Sequence, residues 1–288
     1  MKSAPFAYHR PGSVADAVEV LAAGDAKVLA GGQSLVPVLA MRLGRPGTLV
    51  DVTALPELGG LGIADDELRV GAAVRQRRVE RDPTTARVPL IGRAMPFVGH
   101  RELRSRGTVC GSLAHADPAA ELPAVAACVG AIVEVTGPRG DREVAAAELV
   151  TGAMTTVVGA DELITAVRFP TAGRGEGFGF AEIARRHGDF ALAGVAIRVR
   201  AVAGAVKDAT LAAFGVSDRP VVRDVTDLLA HAVTEPDLRP ATDALAADVV
   251  DTAGDAHGST AYRAHLLGVL AARELARAHR QALPGDPS

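Results

Sequence analysis

Apolar residues recur at helical spacing from Val14 through Ala17, Val18 and Leu21, behind Ser13 and with Asp16 three residues on. The pattern predicts an amphipathic helix capped by Ser13 and closed at Gly24. Lys27-Val28-Leu29-Ala30 reads as a short buried strand that Gly31-Gly32 interrupts, and Leu35 to Leu43 as a helix that carries Pro37 in its first turn. Thr48 to Val52 is a second strand. Helix, strand, glycine turn, helix and strand together make a small α/β unit.

The pattern then changes. Strands at Leu61–Ile63 and Leu68–Val70 flank an Asp65-Asp66 turn, and helices are predicted over Arg75–Arg81 and Leu90–Val98. Gly107 to Pro118 shows no periodicity and reads as a long loop. Ala119–Val129 reads as a helix, Ala131–Thr136 and Glu162–Phe169 as strands, and Gly137-Pro138-Arg139-Gly140 as a turn. Thr171 to Gly175 looks like a linker, which puts a boundary near residue 172. Beyond it, Val195–Ala201 and Val206–Phe214 alternate around Gly204 as an antiparallel hairpin. Helices follow over Val222–His231, Leu238–Val250 and Thr260–Ala282, the last capped by Ser259 with Tyr262, Leu266, Val269 and Leu270 on one face. The expected organisation is residues 1–172, in parts of about 1–55 and 56–172, followed by 173–288.

Composition narrows the function. The 288 residues are 48% hydrophobic and 23% charged, with a formal net charge of −3, which fits a folded chain and no dedicated nucleic-acid binder. Aromatic residues make up 3%, too few for base-stacking platforms. Two cysteines, Cys110 and Cys128, make neither a disulfide framework nor a four-ligand metal site, and they suit a reducing compartment. No stretch has the length of a signal peptide or a membrane span, so a cytoplasmic protein is expected.

Two glycine-bearing segments carry the candidate chemistry. Ala30-Gly31-Gly32-Gln33-Ser34 lies between a strand and a helix. Its amides can converge on an anion, and Ser34 adds a hydroxyl; the same glycines would also serve a plain tight turn. Gly107-Thr108-Val109-Cys110-Gly111-Ser112 offers hydroxyls at Thr108 and Ser112, ahead of the helix expected from Ala119. Glu121, in that helix's first turn, reads either as an acceptor for ribose hydroxyls or as a capping acid. Neither segment has Walker or Rossmann spacing. A pair of them suits a dinucleotide whose diphosphate is held from two sides. Ser112, His115 and Asp117 lack a nucleophile elbow, the other histidines lack ligand spacing, and Cys110 reads as a small buried residue. No catalytic acid or base and no metal site is expected.

The segments Ala30–Leu35, Gly107–Ser112 with Asp117–Pro123, Glu162–Pro170 and Ala184–Ala191 occur in this order. Through them the chain resembles the FAD-binding medium subunit of molybdenum hydroxylases, such as carbon monoxide dehydrogenase and the flavin part of xanthine dehydrogenase. The resemblance implies an α+β protein, with two α/β subdomains of the vanillyl-alcohol-oxidase-like (PCMH-type) FAD-binding fold and a C-terminal antiparallel sheet with helices. It implies non-covalent FAD. Lys27, Val28, Leu29, Ala30, Gly31, Gly32, Gln33 and Ser34, with Thr108, Val109, Cys110, Gly111 and Ser112, fall where the family holds the diphosphate. Glu121 takes the ribose-binding position, Val98 and Ile164 line the flavin, and Arg185, Asp189 and Phe190 lie beside its ring. Cys110 stands where the family often has glycine, Val98 replaces a stacking aromatic, and Ala181 stands where xanthine dehydrogenases carry lysine.

The resemblance further implies an electron-transfer subunit of an oxidoreductase. A molybdopterin-binding large subunit would oxidise the substrate, and a 2Fe-2S small subunit would feed electrons to FAD, which passes them to NAD or a quinone. A dimer of heterotrimers is expected. The alternatives are a flavin-free nucleotide-binding or scaffold module and a stand-alone flavin oxidase.

Overall fold

Three helix-backed sheets follow one another along the chain, in a computed structural model that describes residues 2–230 and 232–283. The first is parallel. Strands β1 (Ala7–His9), β2 (Ala26–Leu29) and β3 (Thr48–Asp51) pair in the order β1-β3-β2, with helix α1 (Val14–Ala22) and the short α2 (Leu35–Ala40) between them. The Ser13 side chain accepts from the Asp16 amide, as the capping pattern predicts. Strand β1 was not legible, because three half-exposed residues carry no alternation.

The second sheet is antiparallel throughout. Strands β4 (Leu61–Ala64) and β5 (Glu67–Gly71) form a hairpin on the predicted Asp65-Asp66 turn, both aspartates having positive φ. Helices α3 (Gln76–Arg81), α4 (Pro89–Ala94), α5 (Arg101–Arg104), α6 (Val109–His115) and α7 (Glu121–Val129) follow. Then come β6 (Ile132–Gly137), β7 (Gly140–Ala145), the short α8 (Ala146–Leu149), the small β8–β9 hairpin (Val150–Gly152 and Thr155–Thr156) and β10 (Leu163–Pro170). The strand order is β4-β5-β10-β6-β7.

The third sheet contains β11 (Glu176–Ala184), β12 (Ala191–Val202), β13 (Ala205–Phe214) and β14 (Val221–Asp224) in sequential antiparallel order. Helices α9 (Glu235–Val249) and α10 (Thr260–Ala282) close the described chain. One face of this sheet, through Phe178, Phe180, Ala196, Ala212 and Phe214, joins the core built on the preceding residues; the other packs on α9 and α10 as a second core. Helix α7 is buried on every side and runs between the second and third sheets.

Three expectations need correction. Gly107–Pro118 is not a loop: Thr108 caps helix α6 by accepting from the Gly111 amide, and Val109, Cys110 and Leu113 bury one side of that helix. With Gly111, Ser112 and His115 among seven residues, helical spacing was masked. The segment predicted as a helix over Val222–His231 is β14 followed by a 3-10 turn at Thr226–Leu229; the β-branched Val221 and Val222 pair with β13, and His231 lies outside the described residues. Helix α10 has the predicted limits, but its inward face runs through Leu267, Leu270, Ala271, Leu275 and Ala278, while Tyr262 is exposed. Ala181 points to α10 as part of the second core, away from the glycine segments' side of the sheet.

Candidate functional site

The two glycine segments meet. Chain leaving β2 turns at Gly31-Gly32, where Gly32 has φ +73°. A Cβ on Gly31 would run into the carbonyl oxygen of Arg106 and lie 2.6 Å from Gly107 Cα, so backbone packs directly on backbone. A Cβ on Gly111 would lie 2.7 Å from Thr108 Oγ1 and 3.8 Å from Ala30 Cβ. Among the described residues, the amides of Gly31, Gly32, Gln33 and Ser34 have no hydrogen-bond partner; two residues beyond Ser34, Val36 donates to Gly32 O at 3.0 Å. The Ser34 hydroxyl caps nothing, and the Gln33 side chain donates to Gly31 O at 3.1 Å. A run of uncommitted amides on a glycine turn is an anion-binding concavity.

On the second segment, the Cys110 amide near the start of α6 is likewise free, whereas the Gly111 amide is committed to Thr108 Oγ1 at 3.0 Å and the Val109 amide belongs to the bridge between Arg75 and Thr108. Thr108 is buried, so its hydroxyl works as a cap. Cys110 is buried too; its thiol lies 3.6 Å from Val70 O, and burial pushes it up to about 12, which makes it inert. Sequence reasoning missed Arg75 and Gln76. The Gln76 amide donates to Gly107 O at 2.8 Å and its side chain to Thr108 O at 3.3 Å, while the Arg75 guanidinium donates to Arg106 O. These contacts fasten the second segment beneath the first. An ordinary polar helix start gave no signal of that role.

Lys27, Val28 and Leu29 lie in β2 and pair with β3, the Lys27 side chain outward. Val98 is partly buried, and Ile164 sits at a bulge between β10 and β6. Arg185 reaches Asp189 at 3.6 Å and His257 at 3.1 Å. Their loop bridges both units: the His187 ring stacks on Phe97 at 6.3 Å, and Gly188 abuts His100. Phe190 is exposed at the end of the loop, directly before β12.

Glu121 opens α7 and is buried, and burial pushes its carboxyl up to about 7. Glu182 on β11 is equally buried and was missed; burial, then the nearby Glu121, pushes it up to about 8. Its Oε2 has no hydrogen-bond partner. The signal was there: Phe178, Phe180 and Glu182 alternate on one strand face, and a carboxyl in that series is anomalous.

A cavity of about 380 Å³ lies between Phe97, Phe180, Glu182 and the Arg273 and Arg277 side of α10. None of the sequence-predicted residues lines it. His115 and Asp117 approach only to 4.0 Å, and Ser112 makes no hydrogen bond to His115, so no nucleophile triad forms. Among the described residues no group of His, Cys, Asp or Glu has the arrangement of a metal site, and no helix is long and apolar enough to cross a membrane.

Comparisons with known proteins bear on this geometry. Residues 4–172 match the FAD binding domain in molybdopterin dehydrogenase, and residues 178–278 the CO dehydrogenase flavoprotein C-terminal domain. The chain is 36% identical to the nicotine 6-hydroxylase medium subunit of Paenarthrobacter nicotinovorans, covering 96% of this chain and 99% of that one. It is 34% identical to the carbon monoxide dehydrogenase medium chain of Afipia carboxidovorans, covering 96% and 98%. The structure of quinoline 2-oxidoreductase from Pseudomonas putida superposes with a TM-score of 0.91 at 34% identity, covering 98% of this chain and all of the matched one.

Proposed function

The chain belongs to the family of FAD-binding medium subunits of molybdenum hydroxylases, and from that premise we propose that it holds FAD across its paired glycine segments and relays electrons between partner subunits and a final acceptor. The residues fit such a group: a turn that tolerates no Cβ at Gly31, and free amides beside it. FAD, when bound, supplies a redox centre able to take electrons singly and release them in pairs. The amides of Gly31 to Ser34 and of Cys110 bind the diphosphate, with the Ser34 and Ser112 hydroxyls beside them. Glu121 accepts from ribose hydroxyls. Val98 and Ile164 flank the flavin, and Arg185, Asp189 and Phe190 border its ring. The chain's own work is to bind, orient and tune; no side chain moves a proton to or from a substrate.

The electrons come from a 2Fe-2S small subunit, and a molybdopterin-binding large subunit oxidises the organic substrate. This chain has two cysteines, both buried, and a cluster needs four ligands, so a partner must supply it. NAD or a quinone takes the electrons, and the assembly is a cytoplasmic dimer of heterotrimers. Within the chain, residues 1–172 form the FAD-binding domain and 173–288 the C-terminal flavoprotein domain.

The observation that carries this reading is the run of free amides at Gly31–Ser34 packed on the Arg106-Gly107 backbone. The purified full chain should take up FAD, turn yellow and release the flavin on denaturation. Co-expression with a molybdopterin-type chain and a cysteine-rich 2Fe-2S chain should give a complex whose flavin is reduced only when both are present. A wild-type chain that takes up no FAD on reconstitution overturns the reading.

A further inference from the structure

We propose that Arg75, with Arg106 beside it, is a further diphosphate-binding residue, whose guanidinium adds a full positive charge to the free amides of the glycine turn. The inference rests on the FAD reading above and adds to it two residues outside the glycine pattern.

The strands of the first sheet are parallel and end on one edge. There β2 runs into the Gly31-Gly32 turn, and Asp51, the last residue of β3, lies opposite Leu29. An open α/β sheet takes its ligands beyond the carboxyl ends of such strands. Arg75 reaches this edge from just ahead of α3. Its guanidinium donates to Arg106 O, the same oxygen that a Cβ on Gly31 would strike. One carbonyl therefore has the guanidinium on it and the glycine turn against it. The contact is open to solvent, with Arg75 half-buried and Arg106 exposed. It uses Nη1 alone; among the described residues Nε and Nη2 make no hydrogen bond, so the fork keeps free donors.

The charges around the turn do not cancel. Asp51 is the carboxylate that acts on Arg75, and it is already engaged: it accepts from the Tyr8 hydroxyl and from the Thr53 amide at 2.9 Å, with Arg10 also acting on it. Arg106 opposes Arg75 with like charge. Among the described residues neither arginine forms an ion pair, whereas nearby Arg77 and Arg104 both close on Glu80, at 2.6 and 3.1 Å. Two guanidiniums side by side repel each other on their own and are held together by an anion between them. The amides give directed bonds with partial charge; the guanidinium gives a whole charge in a planar fork that suits phosphate oxygens.

The test is titration of the full chain with FAD, read by flavin fluorescence, at about 0.05 M and about 0.5 M salt. Glutamine at position 75 can still donate to Arg106 O but carries no charge; lysine keeps the charge without the fork. At low salt Arg75→Gln should bind FAD about tenfold more weakly than wild type, and Arg75→Lys should stay within about threefold. At high salt the gap between wild type and Arg75→Gln should close to about twofold. A low-salt loss below about twofold in Arg75→Gln overturns the proposal and leaves the FAD reading standing. A loss of the same size at both salts does so too, because a mere clamp on the Arg106 carbonyl predicts it. The Arg106 side chain clamps nothing, so Arg106→Gln is a second arm that does not depend on Arg75→Gln folding. It should weaken FAD about threefold at low salt and not at high salt, and unchanged binding there overturns the proposal. A wild type that binds no FAD at either salt overturns both.

Discussion

Two groups of glutamates in this chain live under opposite rules. On the outer face of the second sheet, Arg69 meets Glu134 at 2.7 Å, and Arg168 meets Glu67, Glu134 and Glu143 at 2.8, 3.1 and 2.9 Å; on the sheet's edge strand β7, Arg142 meets Glu162 at 2.6 Å. Hydrogen bonds from Arg69 hold Glu134 below the usual carboxylate range, and those from Arg142 bring Glu162 down to about 2. Where the third sheet meets the preceding core, Glu121 and Glu182 have no guanidinium partner among the described residues, and burial raises both. The outer carboxylates are completed by arginines of the fold itself, whereas the inner pair is buried without one among the described residues. Charge that a fold leaves unpaired in its interior is therefore the better guide to a binding site.

The sharpest way to break this contrast is to disturb the glycine contact that should hold the ligand. Gly31→Val puts side-chain atoms into the Arg106 carbonyl, and titration should show FAD affinity falling by at least about 100-fold. Glu121→Gln removes a buried acceptor without changing shape; the same titration at pH 8 should show a loss of about 10- to 100-fold.

A smaller effect concerns the cofactor-free fold. The folded-state carboxyl of Glu182 titrates near 8, above its unfolded value. The stability that proton confers is thus present below the unfolded carboxylate range and lost as pH rises through about 8. Denaturant melts of the FAD-free chain should show Glu182→Gln falling less than wild type between pH 5 and 9, by about 1–3 kcal/mol. For the outer group the sign reverses. Stabilisation by Glu162 is present above the unfolded carboxylate range and is lost as pH falls toward 2. Arg142 is more than a third exposed, so Glu162→Gln should change stability at pH 7 by less than about 1 kcal/mol and leave FAD binding unchanged.

Legibility in the sequence followed the same divide between local and long-range causes. Helix α1, the Asp65-Asp66 hairpin and the limits of α10 follow from caps and turns within a few residues, and they could be read directly. Helix α6 could not, since Gly111 and Ser112 dilute its period and its cap reads as loop chemistry. The short β14 was hidden because pairing with β13, not its own pattern, makes it a strand. At the candidate site, the glycine segments were conspicuous by composition. The contact between them, and the support from Arg75 and Gln76, depend on tertiary packing that no spacing encodes. Glu182 was visible as an oddity in an apolar strand face, but its meaning needed Glu121 beside it.

Helix α7 has no solvent side: every residue from Glu121 to Val129 is buried, and its Cys128 thiol reaches Ala196 O at 3.2 Å on the third sheet. The two matched segments are therefore not interchangeable cassettes. Cutting the chain after residue 172 would strip one wall from this helix and leave a raw apolar surface beside Phe97, Ile91 and Val125. Gene fusions or splits within such proteins would have to keep the C-terminal portion folding in step with the nucleotide-binding half, so the pair should be inherited as a single unit of folding.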